Sequence, residues 1–322
     1  MSVAHVVVTG AAGFIGSHLV DRLLADGHVV VGIDSFTDYY APQLKEENLR
    51  RALEHPAFTL VRADLLTLFE GAGEVRSALT GAECVYHLAA QAGVRSSWGN
   101  SFRTYTDSNV LATQAVLEAC TAEGIPGVVY ASSSSVYGDV KTMPLREDGP
   151  CRPVSPYGVT KLAGEHLCRL YATGRGLHTV SLRFFTVYGP RQRPDMAFNL
   201  FMRAMRDGDE ITVYGDGEQT RDFTCVDDIV AGILAAPAAP SGSIINLGGG
   251  HRVSLLEALE TLAGVTGITP RLVPAAAQPG DARDTWASLE RARELLGYQP
   301  RTSLADGLAA EWEWLCQSPV AG

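Results

Sequence analysis

The sequence predicts an α/β protein: a doubly wound parallel sheet followed by a smaller mixed α/β lobe. Three observations lead there. Short β-branched, apolar runs bounded by glycine alternate with amphipathic stretches from Val6 to about Phe185. That alternation breaks at Gly189-Pro190 and Arg193-Pro194-Asp195, after which the elements are shorter and mixed. The 322 residues are too many for one small core and enough for two domains. Residues 1–183 are therefore expected to form the first domain and 184–322 the smaller lobe, with segments near 226–248 returning to the first.

The elements follow in order. Val6-Val7-Val8 reads as a buried strand, and Ile15, Leu19, Val20, Leu23 and Leu24 share one helical face after it. Gly27 stops that helix, and Val29 to Ile33 is the next strand. Tyr39 to Glu54 is polar and reads as a loop with a short helix. Phe58 to Val61 and Cys84 to Leu88 are strands, and Trp98 to Cys120 reads as one long helix carrying Asn109. Val128 to Ala131 is a strand running into Ser132-Ser133-Ser134-Ser135. A helix starts near Ser155, a good N-cap, with Pro156 at its first turn. His178 to Phe185 is a strand. Ile211 to Val213 and Ile244 to Leu247 are shorter strands, and helices start at Val226 and Leu255, with a last one running through Trp312.

Bulk properties exclude several roles. A net charge of −10 argues against a nucleic-acid partner. No apolar run reaches membrane-spanning length, and no signal-peptide pattern opens the chain. The six cysteines lack metal-like or redox pairing, so no metal is expected, and most should be reduced and buried, as in the cytoplasm.

The turn between the first strand and helix carries the first chemistry. Gly10, Gly13 and Gly16 stand at the helix N-terminus, where unpaired N–H groups and a partial positive charge await an anion. A diphosphate satisfies both if no Cβ blocks its approach. Asp34 ends the second strand, where a carboxylate accepts from a ribose diol and repels a 2′-phosphate. Ser35, Phe36 and Thr37 follow with no arginine, which favours NAD over NADP. Asp64 is either an adenine contact or a helix cap, and His87, ending an apolar strand, is read as structural.

Tyr157 and Lys161 are four residues apart and share a helical face. An ammonium near a phenol favours the phenolate, so the tyrosine, ordinarily near a pKa of about 10, could serve as a base near neutrality. A serine at the end of the fifth strand can reach the same substrate oxygen. The alternative is a packed tyrosine with its lysine in solvent; the nucleotide turn and the serine, in chain order, weigh against it.

Gly-Ala-Ala-Gly-Phe-Ile-Gly, His-Leu-Ala-Ala-Gln, Ala-Ser-Ser-Ser-Ser-Val-Tyr-Gly and Ser-Pro-Tyr-Gly-Val-Thr-Lys resemble the extended short-chain dehydrogenase/reductases, which have a Rossmann-type doubly wound sheet. Within them the chain is similar to the NAD-dependent nucleotide-sugar epimerases over nearly its whole length. The C-terminal half adds Arg183 to Pro190, Tyr214 to Gly217, Gln219 to Phe223 and Pro279-Gly280-Asp281. Asp38-Tyr39-Tyr40 and Arg193 to Met196 look most like UDP-glucuronate 4-epimerases.

The resemblance implies roles. Tyr157 is the base and acid, Lys161 its partner and a ribose contact, and Ser133 the serine of the triad. Gly10, Gly13, Phe14, Ile15, Gly16, Asp34, Asp64, Leu65, Leu88, Ala89, Ala90, Gln91 and Asn109 would face NAD. Ser134 and Ser135 would line the sugar pocket, Thr186 would touch the sugar or its phosphate, Asn199 and Tyr214 would lie near the uridine, and Arg221 would clamp the diphosphate, with Asp281 also on the substrate side. Arg283 puts in doubt which arginine meets the phosphates. Arg191 and Arg193 are either surface charge or ligands. Arg193 is favoured as the reader of a sugar carboxylate, because a guanidinium grips one bidentately, and a neutral sugar would leave it unpaired. Helices near 100–120 and 157–173 resemble the family's dimer interface, so a homodimer is expected.

The implied reaction is C4 epimerisation of a UDP-sugar, through hydride transfer to bound NAD, rotation of a 4-ketone and return of the hydride. The related dehydratases carry an Asp-Glu pair where this chain has Ser134 and Ser135, and no glutamate matches that of related decarboxylases. The remaining alternatives are an epimerase of UDP-glucose or UDP-N-acetylglucosamine, a decarboxylase or dehydratase, and an NAD-sensing protein without turnover.

Overall fold

The computed structural model describes residues 4–276 and 282–317. The chain opens with β1 (His5–Thr9), α1 (Phe14–Ala25), β2 (Val29–Asp34), α2 (Pro42–Leu53), β3 (Phe58–Arg62), α3 (Glu74–Leu79) and β4 (Cys84–His87). It continues through α4 (Phe102–Thr106), α5 (Ala112–Glu123), β5 (Gly127–Ser133), α6 (Pro156–Arg175), β6 (His178–Phe184), β7 (Thr186–Tyr188) and α7 (Ala197–Asp207). Then come β8 (Glu210–Tyr214), β9 (Thr220–Arg221), β10 (Phe223–Cys225), α8 (Val226–Ala235), β11 (Ser243–Leu247) and β12 (Val253–Ser254). The last elements are α9 (Leu255–Thr266), β13 (Arg271–Ala275), α10 (Glu290–Leu296) and α11 (Leu304–Gln317).

Seven strands form one sheet in the order β11-β6-β5-β4-β1-β2-β3, and every pair in it is parallel. Helices cover both faces, so Val6, Val7 and Val8 are all buried although they point alternately up and down. Progress across the sheet reverses between β1 and β4, which opens a crevice at their carboxyl ends. After β6 the chain leaves this sheet and re-enters it at β11. The remaining strands pair as β7 with β10, β8 with β13 and β9 with β12. Phe198, Met202, Ile211, Phe223, Leu259 and Leu308 close a separate core there.

Two expectations need correction. The stretch 39–54 holds a full helix of 12 residues, because Lys45, Asn48, Leu49 and Ala52 recur on a buried face that polar neighbours obscure. The helix expected from Trp98 begins only at Phe102, after two short turns, and passes through a π-helical turn at Asp107–Leu111. All six cysteines are free thiols; Cys84, Cys120, Cys168 and Cys225 are buried, Cys151 is half-buried and Cys316 exposed. Among the described residues, no helix is long and apolar enough to cross a membrane.

Candidate active site

The crevice over β1 and β4 begins at the glycine turn. Gly10 has φ +70, where side chains are strained, and a Cβ there would lie 2.8 Å from the Ala89 nitrogen. Gly13 is the N-cap of α1 and provides no side chain to cap it, so the first amides of the helix remain for an outside acceptor. A Cβ on Gly16 would come within 2.1 Å of the Gly10 carbonyl oxygen. The cradle thus fits a diphosphate and no added methyl. Gly16→Ala should overpack the turn by about 1–3 kcal/mol, weakening NAD about five- to a hundredfold. NAD released on denaturing purified protein measures this, and wild-type NAD content in the variant would refute it.

Asp34 accepts from the Ala12 nitrogen at 3.1 Å and the Phe36 nitrogen at 2.8 Å, which fixes its carboxylate at the crevice edge. Lys45, buried on α2, stands 3.7 Å from it, beside the Thr37 hydroxyl and over the Tyr40 ring. Sequence reasoning missed Lys45, because it sought an arginine directly after Asp34 and took 39–54 for a loop with only a short helix. The spacing of Lys45 with Asn48, Leu49 and Ala52 was the available signal. Its ammonium offsets part of the Asp34 charge, on which the expected preference against a 2′-phosphate was based.

Gly10, Gly13, Phe14, Ile15, Gly16, Asp34, Asp64, Leu65, Leu88, Ala89, Ala90, Gln91, Tyr157 and Lys161 all line this one crevice. Asp64 fills both of its sequence readings: it caps the following turn through the Leu66 nitrogen at 2.9 Å and lines the crevice as well. Asn109 differs from expectation. It is buried beneath the wall, where it accepts from the Gln91 nitrogen at 2.7 Å and donates to the Gln91 carbonyl and the Thr160 hydroxyl, both at 3.0 Å. Its amide therefore shapes the Gln91 backbone and is committed before any ligand arrives.

His87 supports the same wall. Its Nδ1 lies 2.8 Å from the Thr9 hydroxyl and its Nε2 3.0 Å from the Thr113 hydroxyl. Thr113 donates to the Asn109 carbonyl, so it can only accept from His87; Nε2 carries the hydrogen and Nδ1 accepts from Thr9. Thr9 in turn accepts from the Ala89 nitrogen. Burial and then the Lys161 charge push the His87 pKa down to about 3, in line with a structural role.

Ser155 caps α6 by accepting from the Gly158 nitrogen at 3.1 Å, and Pro156 starts the first turn. This brings Tyr157 and Lys161 into the crevice. Lys161 donates to the Ala131 carbonyl at 2.8 Å, and burial pulls its pKa down to about 7. The Tyr157 pKa is raised, not lowered: burial outweighs a hydrogen bond with Ser133 and the nearby Arg193 charge. The leading counterweights are thus Ser133 and Arg193, where sequence reasoning named Lys161. The Ser133 hydroxyl also accepts from the Ser135 nitrogen at 3.1 Å, which fixes the strand end. Beneath it, Glu165 receives the Ser132 hydroxyl and both edge nitrogens of Arg183, the latter at 2.8 Å.

The sugar side is less concentrated. Arg193 lines the crevice with Tyr157, but its guanidinium already holds Asp195. The expectation that a neutral sugar would leave it unpaired is therefore wrong. Arg191 pairs with Asp21 at 2.7 Å and is a structural contact. Asn199 is buried, its amide donating to the Gln192 carbonyl and accepting from Arg203, so it braces a loop and presents no free group. Thr186, Ser134 and Ser135 lie at the strand ends beside Ser133, half-buried. Tyr214 ends β8 with the Arg95 guanidinium over its ring. Arg221 donates to the Arg283 carbonyl at 2.9 Å, which puts the two candidate diphosphate arginines side by side. Asp281 lies outside the described residues.

The NAD dependent epimerase/dehydratase family model matches residues 6–248. An uncharacterized UDP-glucose epimerase of Bacillus subtilis is 45% identical over 313 residues, 96% of this chain and 97% of the relative. A UDP-glucuronate 4-epimerase of Thermodesulfobacterium geofontis is 36% identical over 96% of this chain and 95% of its own. The crystal structure of UDP-glucuronic acid 4-epimerase from Bacillus cereus, in complex with UDP-glucuronic acid and NAD, superposes with a TM-score of 0.92 at 42% identity, covering 97% of this chain and 99% of the other.

Proposed function

This chain belongs to the NAD-dependent epimerase/dehydratase family, and from that premise we propose that it is an isomerase interconverting UDP-glucuronate and UDP-galacturonate at C4. The observation that carries the reading is the shared crevice: the glycine turn, Tyr157 and the Arg193 cation line it, and Ser133 is hydrogen-bonded to Tyr157. Bound in the Gly10–Gly16 cradle with Asp34 at its ribose, NAD supplies reversible oxidation at C4 of the sugar. Tyr157 takes the proton of the 4-hydroxyl and gives it back. Ser133 holds the same oxygen, and the buried Ser132–Glu165–Arg183 contacts fix where Ser133 stands. Lys161, tied to the Ala131 carbonyl, faces the cofactor ribose. Arg221, beside Arg283, anchors the diphosphate, so the sugar can turn while its nucleotide stays held. The lobe of 184–322, apart from the return near 226–248, would carry that nucleotide.

Ser134 and Ser135 lack the acid that loss of water needs, which favours epimerisation over dehydration. A second reading, a UDP-hexose 4-epimerase, gains support from the Arg193–Asp195 pair, since a neutral sugar leaves it intact. A homodimer through the helical stretches near 100–120 and 157–173 belongs to the same proposal; Leu111, Val159 and Leu170 expose apolar side chains there. A cytoplasmic location accords with the free, mostly buried cysteines.

UDP-glucuronate incubated with the protein should yield UDP-galacturonate without added NAD and without carbon dioxide. Anion-exchange chromatography with mass spectrometry reads the products. A UDP-pentose would mean decarboxylation, and a species lighter by one water would mean dehydration.

A further inference from the structure

Arg193 presents no open fork to the crevice. Its Nε and Nη2 donate to Oδ1 and Oδ2 of Asp195, both at 2.9 Å. These are the two parallel bonds that a guanidinium makes with any carboxylate. Asp195 lies on the same loop, one proline away. It also accepts from the Tyr39 hydroxyl at 3.3 Å, and the Tyr39 ring faces the Arg193 guanidinium, 5.9 Å from its centroid.

The loop backbone is fixed from below. The Gln192 side chain donates to the Val187 carbonyl and accepts from the Asn199 nitrogen, and Arg191 is tied to Asp21. The side chains above are wetter, 19% exposed for Arg193 and 39% for Asp195. The backbone is therefore held while the ion pair stands at the rim, within electrostatic reach of Tyr157. A partly exposed pair is weak, so its carboxylate can be exchanged for another.

We propose that Asp195 sets the sugar preference of this site as a built-in competitor, holding the edge of Arg193 that a C6 carboxylate would take. A uronic acid must exchange with Asp195, while a neutral hexose leaves the pair alone. The exchange replaces one carboxylate by another on the same donors, so Arg193 discriminates less than an unpaired arginine would. The inference rests on the reading of Arg193 as the carboxylate contact.

Asp195→Asn removes the competing charge and nearly keeps the shape. In calorimetric titrations of NAD-loaded protein, it should tighten UDP-glucuronate about two- to fivefold, the worth of an exposed ion pair, and leave UDP-glucose unchanged. The ratio of kcat/KM for the two sugars should move with it. Asp195→Ser is the second variant, should Asn lower the melting temperature. An unchanged ratio overturns the proposal, and so does weaker UDP-glucuronate binding, which would make Asp195 a support for Arg193. Arg193→Gln, measured in parallel, separates the two ideas. If it leaves the ratio of the sugars unchanged, Arg193 is not the carboxylate contact. If it narrows the ratio while Asp195→Asn does not widen it, only the competitor fails.

Discussion

Tyr157→Phe will stop turnover and leave both NAD and UDP-glucuronate bound. The ring stays where the fold puts it, because Ser155 and Pro156 set the first turn of α6, and Tyr105 meets the ring edge-on, 6.2 Å between centroids. Only the hydroxyl disappears. That oxygen lies against Ser133 and within reach of the Arg193 charge. Tyr39, on the loop after β2, lines the crevice as well, but its hydroxyl is engaged by Asp195 and Ser96. General acid–base catalysis contributes about a hundred- to ten-thousandfold, so kcat should fall by at least that range at saturating substrate. The NAD content and the affinity for UDP-glucuronate should change little. A variant within about tenfold of wild type would remove Tyr157 from the proton-transfer role.

Glu165→Ala should be the most destabilising single change, at about 3–5 kcal/mol, because it strands a buried cation. The Glu165 and Arg183 side chains are each 2% exposed, and their charges meet through paired bonds of 2.8 Å. Without Glu165, the Arg183 guanidinium keeps only its lesser contacts, the Glu147 carbonyl, the Cys151 sulfur and the Tyr137 ring face. The Ser132 hydroxyl loses its acceptor as well. The melting temperature should drop by roughly 5–15 °C. A double variant, Glu165→Met with Arg183→Met, should recover most of the loss, since two apolar chains of similar volume need no partner charge. If the single variant melts within about 2 °C of the parent, or if the double variant is the worse of the two, the pair is not a buried charge of this kind.

The cofactor half of the crevice was legible because its signals are local. Gly10, Gly13, Gly16 and Asp34 fall in one strand–helix–strand unit, and a short stretch of chain determines their geometry. Tyr157 and Lys161 were legible for the same reason, being four residues apart on one helix. Lys45 was not, because it reaches Asp34 only through the packing of α2, whose buried face carries as many polar residues as apolar ones. Asn109 and Asn199 were assigned to ligands on the resemblance. The fold commits both amides to neighbouring backbone and side-chain groups, a demand that appears only once the π-helical turn and the Gln192 loop exist. The Arg193–Asp195 pair was within reach of the sequence, since a residue two places on along a turn can fold back. The resemblance directed Arg193 outward and left Asp195 unexamined. On Tyr157 the sequence reading expected Lys161 to lower the pKa, but Ser133 and Arg193 are the leading counterweights, and burial, a property of the whole fold, decides the direction of its shift.

The hydrogen bonds through His87 run in one direction: from the Ala89 nitrogen to Thr9, to the imidazole, to Thr113 and to the Asn109 carbonyl. Asn109 then grips Gln91 at both its nitrogen and its carbonyl. The two ends of the Ala89–Gln91 wall are thus referenced to a single uncharged ring, which transmits position and not charge. A displacement at Ala89 is a displacement at Gln91, so the wall meets the cofactor as one mechanical piece. Burial holds the imidazole at about 3 and brings the Lys161 ammonium down to about 7, so of these two neighbours it is the lysine, and not the histidine, whose charge answers to pH near neutrality.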